Sequence, residues 1–197
     1  DQNAVIGNNV SIGSGVVIKQ GTKIGDGAVI GNQTTIDQNV VIGKEVVIGR
    51  NVKIKQGSII GDNTEISDNV LLDQYSVIGN FVFIGANTSI KQGAQIADGS
   101  YLSSGISFDQ NVALGGNVIV MDSVTFKQGV KVGDRAVIGK KVFVNQNTKI
   151  GSDAVIADGR TIGQNAKVCD GIAVNANLGS NGSAGNCIAP SVPSIPR

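Results

Sequence analysis

Residues 4–24 read Ala4-Val5-Ile6-Gly7-Asn8-Asn9-Val10-Ser11-Ile12-Gly13-Ser14-Gly15-Val16-Val17-Ile18-Lys19-Gln20-Gly21-Thr22-Lys23-Ile24. The isoleucines fall six residues apart, and the spacing continues without insertion or deletion to Val174, with a large apolar residue at all 29 positions. Two residues before each stands a small or β-branched residue, as in Ala4, Val10, Val16, Thr22, Ala28 and Thr34. Three residues after it stands mostly Gly or Asn, as in Asn9, Gly15, Gly21, Gly27 and Asn39. In a strand, residues i and i+2 share a side, so the small and the large residue both face inward. Gly and Asn accept a left-handed backbone most readily, which makes the third position a corner. The spacing predicts short strands and sharp corners winding around a packed interior.

A slower period sets the size of one turn. Gln recurs every eighteen residues, at Gln2, Gln20, Gln38, Gln56, Gln74, Gln92, Gln110, Gln128, Gln146 and Gln164. Eighteen residues make three strands, hence one triangular coil, and about ten such coils fit the chain. The glutamines then form a ladder at one corner, where stacked amides can hydrogen-bond. The residue before each alternates in sign through Asp1, Lys19, Asp37, Lys55, Asp73, Lys91, Asp109 and Lys127. A slip by one coil would oppose like charges, so the ladder reads as a register device. Asp26, Asp62, Asp98, Asp134 and Asp170 recur every 36 residues, too widely for one metal ion, and are assigned to corner hydrogen bonds.

Composition narrows the function classes. The 197 residues carry a formal net charge of +1, which argues against a general nucleic-acid binder. There is no His, the commonest general base and metal ligand. No apolar run is long enough to span a membrane. The chain begins at Asp1 and its one Met is Met121, which suggests a processed chain or a fragment.

The motif Ile6-Gly7-Asn8-Asn9-Val10-Ser11, repeated as Ile42-Gly43-Lys44-Glu45-Val46-Val47, resembles the hexapeptide-repeat family. The resemblance implies an all-β fold, a left-handed parallel β-helix with triangular coils. Many members are acyltransferases that use a His between neighbouring subunits and a loop extruded from a coil; others bind zinc through three His. Neither the His nor room for such a loop is found here, so a non-enzymatic member is expected, with no catalytic residues, cofactor or metal.

Function is therefore sought on outward positions. One face carries Val29, Val47, Phe83, Tyr101, Ile119, Val137 and Val155, with Met121 beside it and Phe81 at the adjoining corner. So long an apolar stripe is read as a self-association face, the alternative being scattered surface apolars. Cys169 and Cys187 are one coil apart, within disulfide range if the path continues; a bridge implies an oxidising compartment, the alternative being two free thiols in a cytosolic protein.

Residues 1–180 are read as the β-helix and 181–197 as a Gly/Ser turn with a Pro-rich arm. In that arm Ile188, Pro190, Val192, Pro193, Ile195 and Pro196 follow a polyproline period suited to docking on a neighbouring copy, the alternative being a loose tail. An uncapped first turn and an exported arm lead to the expectation of a secreted or cell-surface structural protein, a homo-oligomer or polymer associating head-to-tail into a filament. An extracellular binding module (adhesin, carbohydrate- or ice-binding), with glycans as partners, is the alternative, followed by an acyltransferase-like hexapeptide protein.

Overall fold

The computed structural model describes residues 3–187. Among them are thirty strands of two residues each and no helix, so no helix is long and apolar enough to cross a membrane. The first 29 strands each pair one outward residue with the inward aliphatic of the six-residue period, from Val5–Ile6 to Ala173–Val174. Every third strand pairs in parallel with the same residues one coil on, as Ile59↔Val77 and Ile60↔Ile78. Three flat sheets result. Sheet A has eleven strands, sheet B ten and sheet C nine, arranged as a left-handed triangular β-helix.

Coil-to-coil bonding is regular because backbone groups inside such a stack have no other partner. Val41 N–H donates to the Ser58 carbonyl at 3.0 Å, and Gly43 N–H to that of Ile60 at 2.9 Å. The interior is a column of aliphatics with two aromatics. Phe108 and Phe126 are fully buried on neighbouring coils, their ring centroids 5.1 Å apart. The small inward position also holds buried Thr and Ser. Their hydroxyls turn back to the corner carbonyl fifteen residues on, as Thr64 to Gly79 at 2.8 Å and Thr148 to Gly163 at 2.7 Å. No buried side-chain polar atom among the described residues lacks a partner.

The corners are left-handed, as the pattern predicts. Asn9, Asn39 and Asn51 have φ of 54–56°, and so do bulky residues such as Phe81, at 55°. A second device follows each aliphatic. The side chains of Asp26, Asp62, Asp98, Asp134 and Asp170 accept the N–H of the residue eighteen earlier: Asn8, Lys44, Asn80, Gly116 and Ser152. Each such carboxylate lies over the glycine just before that N–H, namely Gly7, Gly43, Gly79, Gly115 and Gly151. A Cβ there would collide with the carboxylate oxygen and the backbone behind it, which is why Gly follows Ile in the motif.

Among the described residues the period breaks once. Beyond Val174 one hexad is two residues short, so Leu178 bridges Ile162 and Ser183–Ala184 pairs with Lys167–Val168, both sixteen residues back. Sheet pairing therefore runs past residue 180. Cys169 and Cys187 are joined by a disulfide with Cα atoms 5.0 Å apart. Because of the shortened hexad, Cys169 N–H meets the Ala184 carbonyl, and Cys187 approaches diagonally rather than as its rung neighbour.

Candidate functional site

Sheet B gathers the apolar stripe into one column. Val29 pairs with Val47, Phe83 with Tyr101, Tyr101 with Ile119, Ile119 with Val137 and Val137 with Val155. The Phe83 and Tyr101 rings stack, with centroids 4.9 Å apart and planes 9° from parallel. Glu65 interrupts the column between Val47 and Phe83. Phe81 stands outside it, on the positive-φ corner, and at 67% is the most exposed large apolar side chain among the described residues. Met121 is half-buried at the other edge, just after Ile119–Val120.

That edge holds a polar cluster. Ser103 occupies a position that is Gly in the motif, and its hydroxyl donates a hydrogen bond to Asp122 Oδ1. The Ser104 N–H donates to the same oxygen at 3.3 Å, and Lys140 Nζ lies 3.7 Å from Oδ2. The Ser103 hydroxyl, then the Ser104 N–H, hold the Asp122 carboxyl below its ordinary range. The carboxylate is thus fixed in its charged form, suited to orienting a donor. Sequence reasoning missed these four residues; the one signal was a Ser-Ser pair, Ser103-Ser104, where Gly is usual.

The glutamines from Gln20 to Gln164 line the corner between sheets C and A. There the backbone carbonyls make the coil-to-coil bonds: those of Gln38, Gln74 and Gln110 accept the N–H of Gly57, Gly93 and Gly129 at 3.0–3.1 Å. Side-chain amides bond along the stack at another corner position, Asn51 to Asn69 and Asn69 to Asn87, each at 3.4 Å. Beside the glutamines, Lys19 pairs with Asp37, and Lys91 with Asp109 at 3.3 Å. Burial pushes the Asp109 carboxyl up, but the Gln110 N–H and Lys91 outweigh it and hold it below the usual range. Gln2 and the arm residues Ile188, Pro190, Val192, Pro193, Ile195 and Pro196 lie outside the described residues. Among those described, no three His, Cys, Asp or Glu side chains converge as a metal site would require.

Comparison with known proteins bears on function. Residues 1–80 match the model of the GMPPB C-terminal domain. Solved structures similar in fold include the UDP-N-acetylglucosamine acyltransferases of three organisms. The Francisella novicida enzyme is 23% identical, with 90% of this chain and 67% of that one covered and a TM-score of 0.49. For the Campylobacter jejuni enzyme the values are 20%, 82%, 64% and 0.42, and for the Arabidopsis enzyme 18%, 93%, 69% and 0.43. The chain thus spans just under two thirds of the Campylobacter protein. No curated protein matches the sequence.

These findings correct the expectation of a non-enzymatic structural protein associating head-to-tail into a filament. The family models that match are those of a succinyl-transferase repeat and of the GMPPB C-terminal domain, and neither describes a fibre. Two physical reasons account for the error. Excluding an enzyme for want of imidazole overlooks carboxylate, hydroxyl and ammonium groups, which the Ser103, Asp122 and Lys140 cluster brings together. The head-to-tail reading leaned on a bare first turn and on the Pro-rich arm, and Asp1, Gln2 and residues 188–197 lie outside the described structure. The hexapeptide repeat of succinyl-transferase matches three times in succession, over residues 76–110, 109–146 and 141–176, more than half of the chain, which belongs to the hexapeptide-repeat family.

Proposed function

We propose that this chain is the β-helical body of an acyltransferase-like protein that works as a homo-oligomer. The observation that carries the reading is the run of succinyl-transferase repeat matches over residues 76–176, which includes both the aromatic stack and the polar cluster. Acyl transfer needs an acceptor hydroxyl or amine held in line with the acyl carbon, a route for its proton, and stabilisation of the oxyanion that forms. Asp122, fixed as a carboxylate, orients an acceptor N–H or O–H, and Lys140 sets positive charge beside it.

The cluster lies at the rim of the sheet B stripe, since Ser103 follows Tyr101–Leu102 and Asp122 follows Ile119–Val120–Met121. A second copy packed on Phe83, Tyr101 and Ile119 would wall the cluster on one side and form the pocket between subunits. The Cys169–Cys187 bridge favours an oxidising compartment.

Thiol release from succinyl-CoA and related thioesters, measured over a panel of amine and hydroxyl acceptors, tests this reading. The expected result is acceptor-dependent release that falls at least about tenfold in Asp122→Asn, with circular dichroism unchanged. The double variant F83A/Y101A should sediment as a smaller species. Absence of acceptor-dependent release across the panel refutes acyl transfer, and an unchanged sedimentation coefficient refutes the sheet B interface.

A further inference from the structure

Sheet A ends in an arrangement found nowhere else on the described surface. Its outward column runs Val77, Gln95, Ala113 and then Lys131, Lys149 and Lys167, the last three directly paired in register on adjacent coils. Like charges placed opposite one another on neighbouring strands are unfavourable. All three are exposed, and none forms an ion pair among the described residues.

The surroundings sharpen the contrast. At the adjacent corner, sign alternation is kept from Lys19 to Lys127 and lapses at these coils, where Asn145 and Gly163 take the places due to an acid and a base. Lys127 stands over the Phe143 ring, 5.8 Å from its centroid. None of the acids a few residues further along the chain forms an ion pair with these lysines. Asp134 and Asp170 accept backbone N–H groups at 2.9 Å, and Asp153 takes both of its bonds from Arg135 at 2.7 Å. Residues 127–170 hold eight Lys and Arg against four Asp, whereas the whole chain is only +1.

We propose that this end of sheet A binds a linear acidic polysaccharide, with one carboxylate or sulfate on each lysine. Parallel strands set the lysines about 4.8 Å apart along the axis. An extended glycan advances by a similar distance per sugar ring, so one anionic group per ring meets one ammonium per coil. Gln128, Gln146 and Gln164 repeat with the same period at the neighbouring corner and offer amides to ring hydroxyls. Single-stranded nucleic acid would call for aromatic platforms along the track, and this column has none. A flat row of three cations suits a chain lying along the β-helix axis, and it is independent of the acyl-transfer reading.

The experiment is calorimetric titration of the disulfide-intact protein with oligomannuronates: a single unit, a trimer and a hexamer. The single unit should show no measurable binding. The trimer should bind, and the hexamer only modestly better, because three rungs are available. Lys149→Gln should weaken the trimer about tenfold, the loss of one charge-assisted contact. The triple variant K131Q/K149Q/K167Q should abolish binding, and K23Q/K44Q/K53Q, the same charge change elsewhere, should leave it nearly unchanged.

The proposal is overturned if no oligouronate binds or if the control triple loses as much. It is overturned equally if oligothymidylate, polyglutamate or anionic vesicles bind as tightly at the same ionic strength, since the surface would then be a general cation patch.

Discussion

Replacing Gly61 by Ala should destabilise the β-helix by about 2–3 kcal/mol, because the glycine floor beneath each corner amide or carboxylate has no room for a methyl group. A Cβ on Gly61 would lie 2.6 Å from Asn80 Oδ1, 2.6 Å from the Gly79 carbonyl carbon and 2.7 Å from the Asn80 nitrogen. The last two are backbone atoms of the next coil and cannot rotate away. Overpacking of this kind costs about 1–3 kcal/mol. If Asn80 swings aside, the Asp62 N–H loses its 2.8 Å bond, at a further cost of about 0.5–1.5 kcal/mol. Reduced freedom of the unfolded chain returns about 0.4–1 kcal/mol.

The assay is urea and thermal unfolding followed by far-UV circular dichroism, with an expected drop in Tm of about 5–10 °C for a chain of this size. Gly159→Ala is the matched control. Nothing lies within 4 Å of its added Cβ, and its φ of +68° leaves only backbone strain, about 1–2 kcal/mol before the same offset. The double variant G61A/N80A separates side-chain from backbone crowding: because the backbone clash remains, stability should not recover. Equal losses for Gly61→Ala and Gly159→Ala, or full rescue by the second substitution, would refute the reasoning.

Three further outcomes are expected. Phe126→Ala removes one of two packed core rings and should cost about 3–5 kcal/mol, with hydrogen exchange accelerating first in the coils around it, since each coil contacts only its neighbours. Replacing Cys169 and Cys187 by Ser opens a loop of 18 residues; it should cost about 3 kcal/mol and speed exchange in the last coil while leaving the first coils unchanged. The Ser103 and Ser104 donors at Asp122, and Arg135 at Asp153, hold those carboxyls below their unfolded value of 3.8. Their contribution is complete above that value and is lost as pH falls through the lower folded values, so an acid titration of stability should be shallower for D122N/D153N than for the parent.

Most of the fold was legible because two strict periods set the strands and the coil, while the left hand came from the family resemblance alone. The six-residue spacing names each inward residue, and the Gln spacing counts three strands to a coil. Other features lay beyond reach for physical reasons. Phe81 and Tyr75 take left-handed corners at φ of 55° and 57°, which bulky residues ordinarily avoid; coil pairing imposes the conformation whatever the side chain. The shortened hexad before Leu178 was hidden because an apolar residue four positions after Val174, rather than six, looks like the end of the pattern. The sheet B stripe could be assembled from the sequence by counting. The Ser103 and Asp122 contact could not, since it joins residues nineteen apart through a side chain standing where glycine is usual.

A repeat this regular makes each departure a question, and the answer turns on whether the chain itself compensates. At the shortened hexad it does: Asn177 Oδ1 accepts the Thr161 N–H at 2.9 Å, and Leu178 N–H returns a bond to the Thr161 carbonyl at 2.9 Å. That departure is structurally closed and asks for no partner. Ser103 in the glycine column is partly closed, its hydroxyl satisfied by Asp122 and its neighbour Met121 left half-buried at the edge of an apolar face. The three lysines of sheet A are not closed at all: like faces like on consecutive coils, and no described acid forms an ion pair with them. Local rules broken without internal compensation tend to mark functional surfaces. On that ranking the lysine row asks most strongly for something outside the chain, and the cluster at Asp122 asks for a substrate and a second wall.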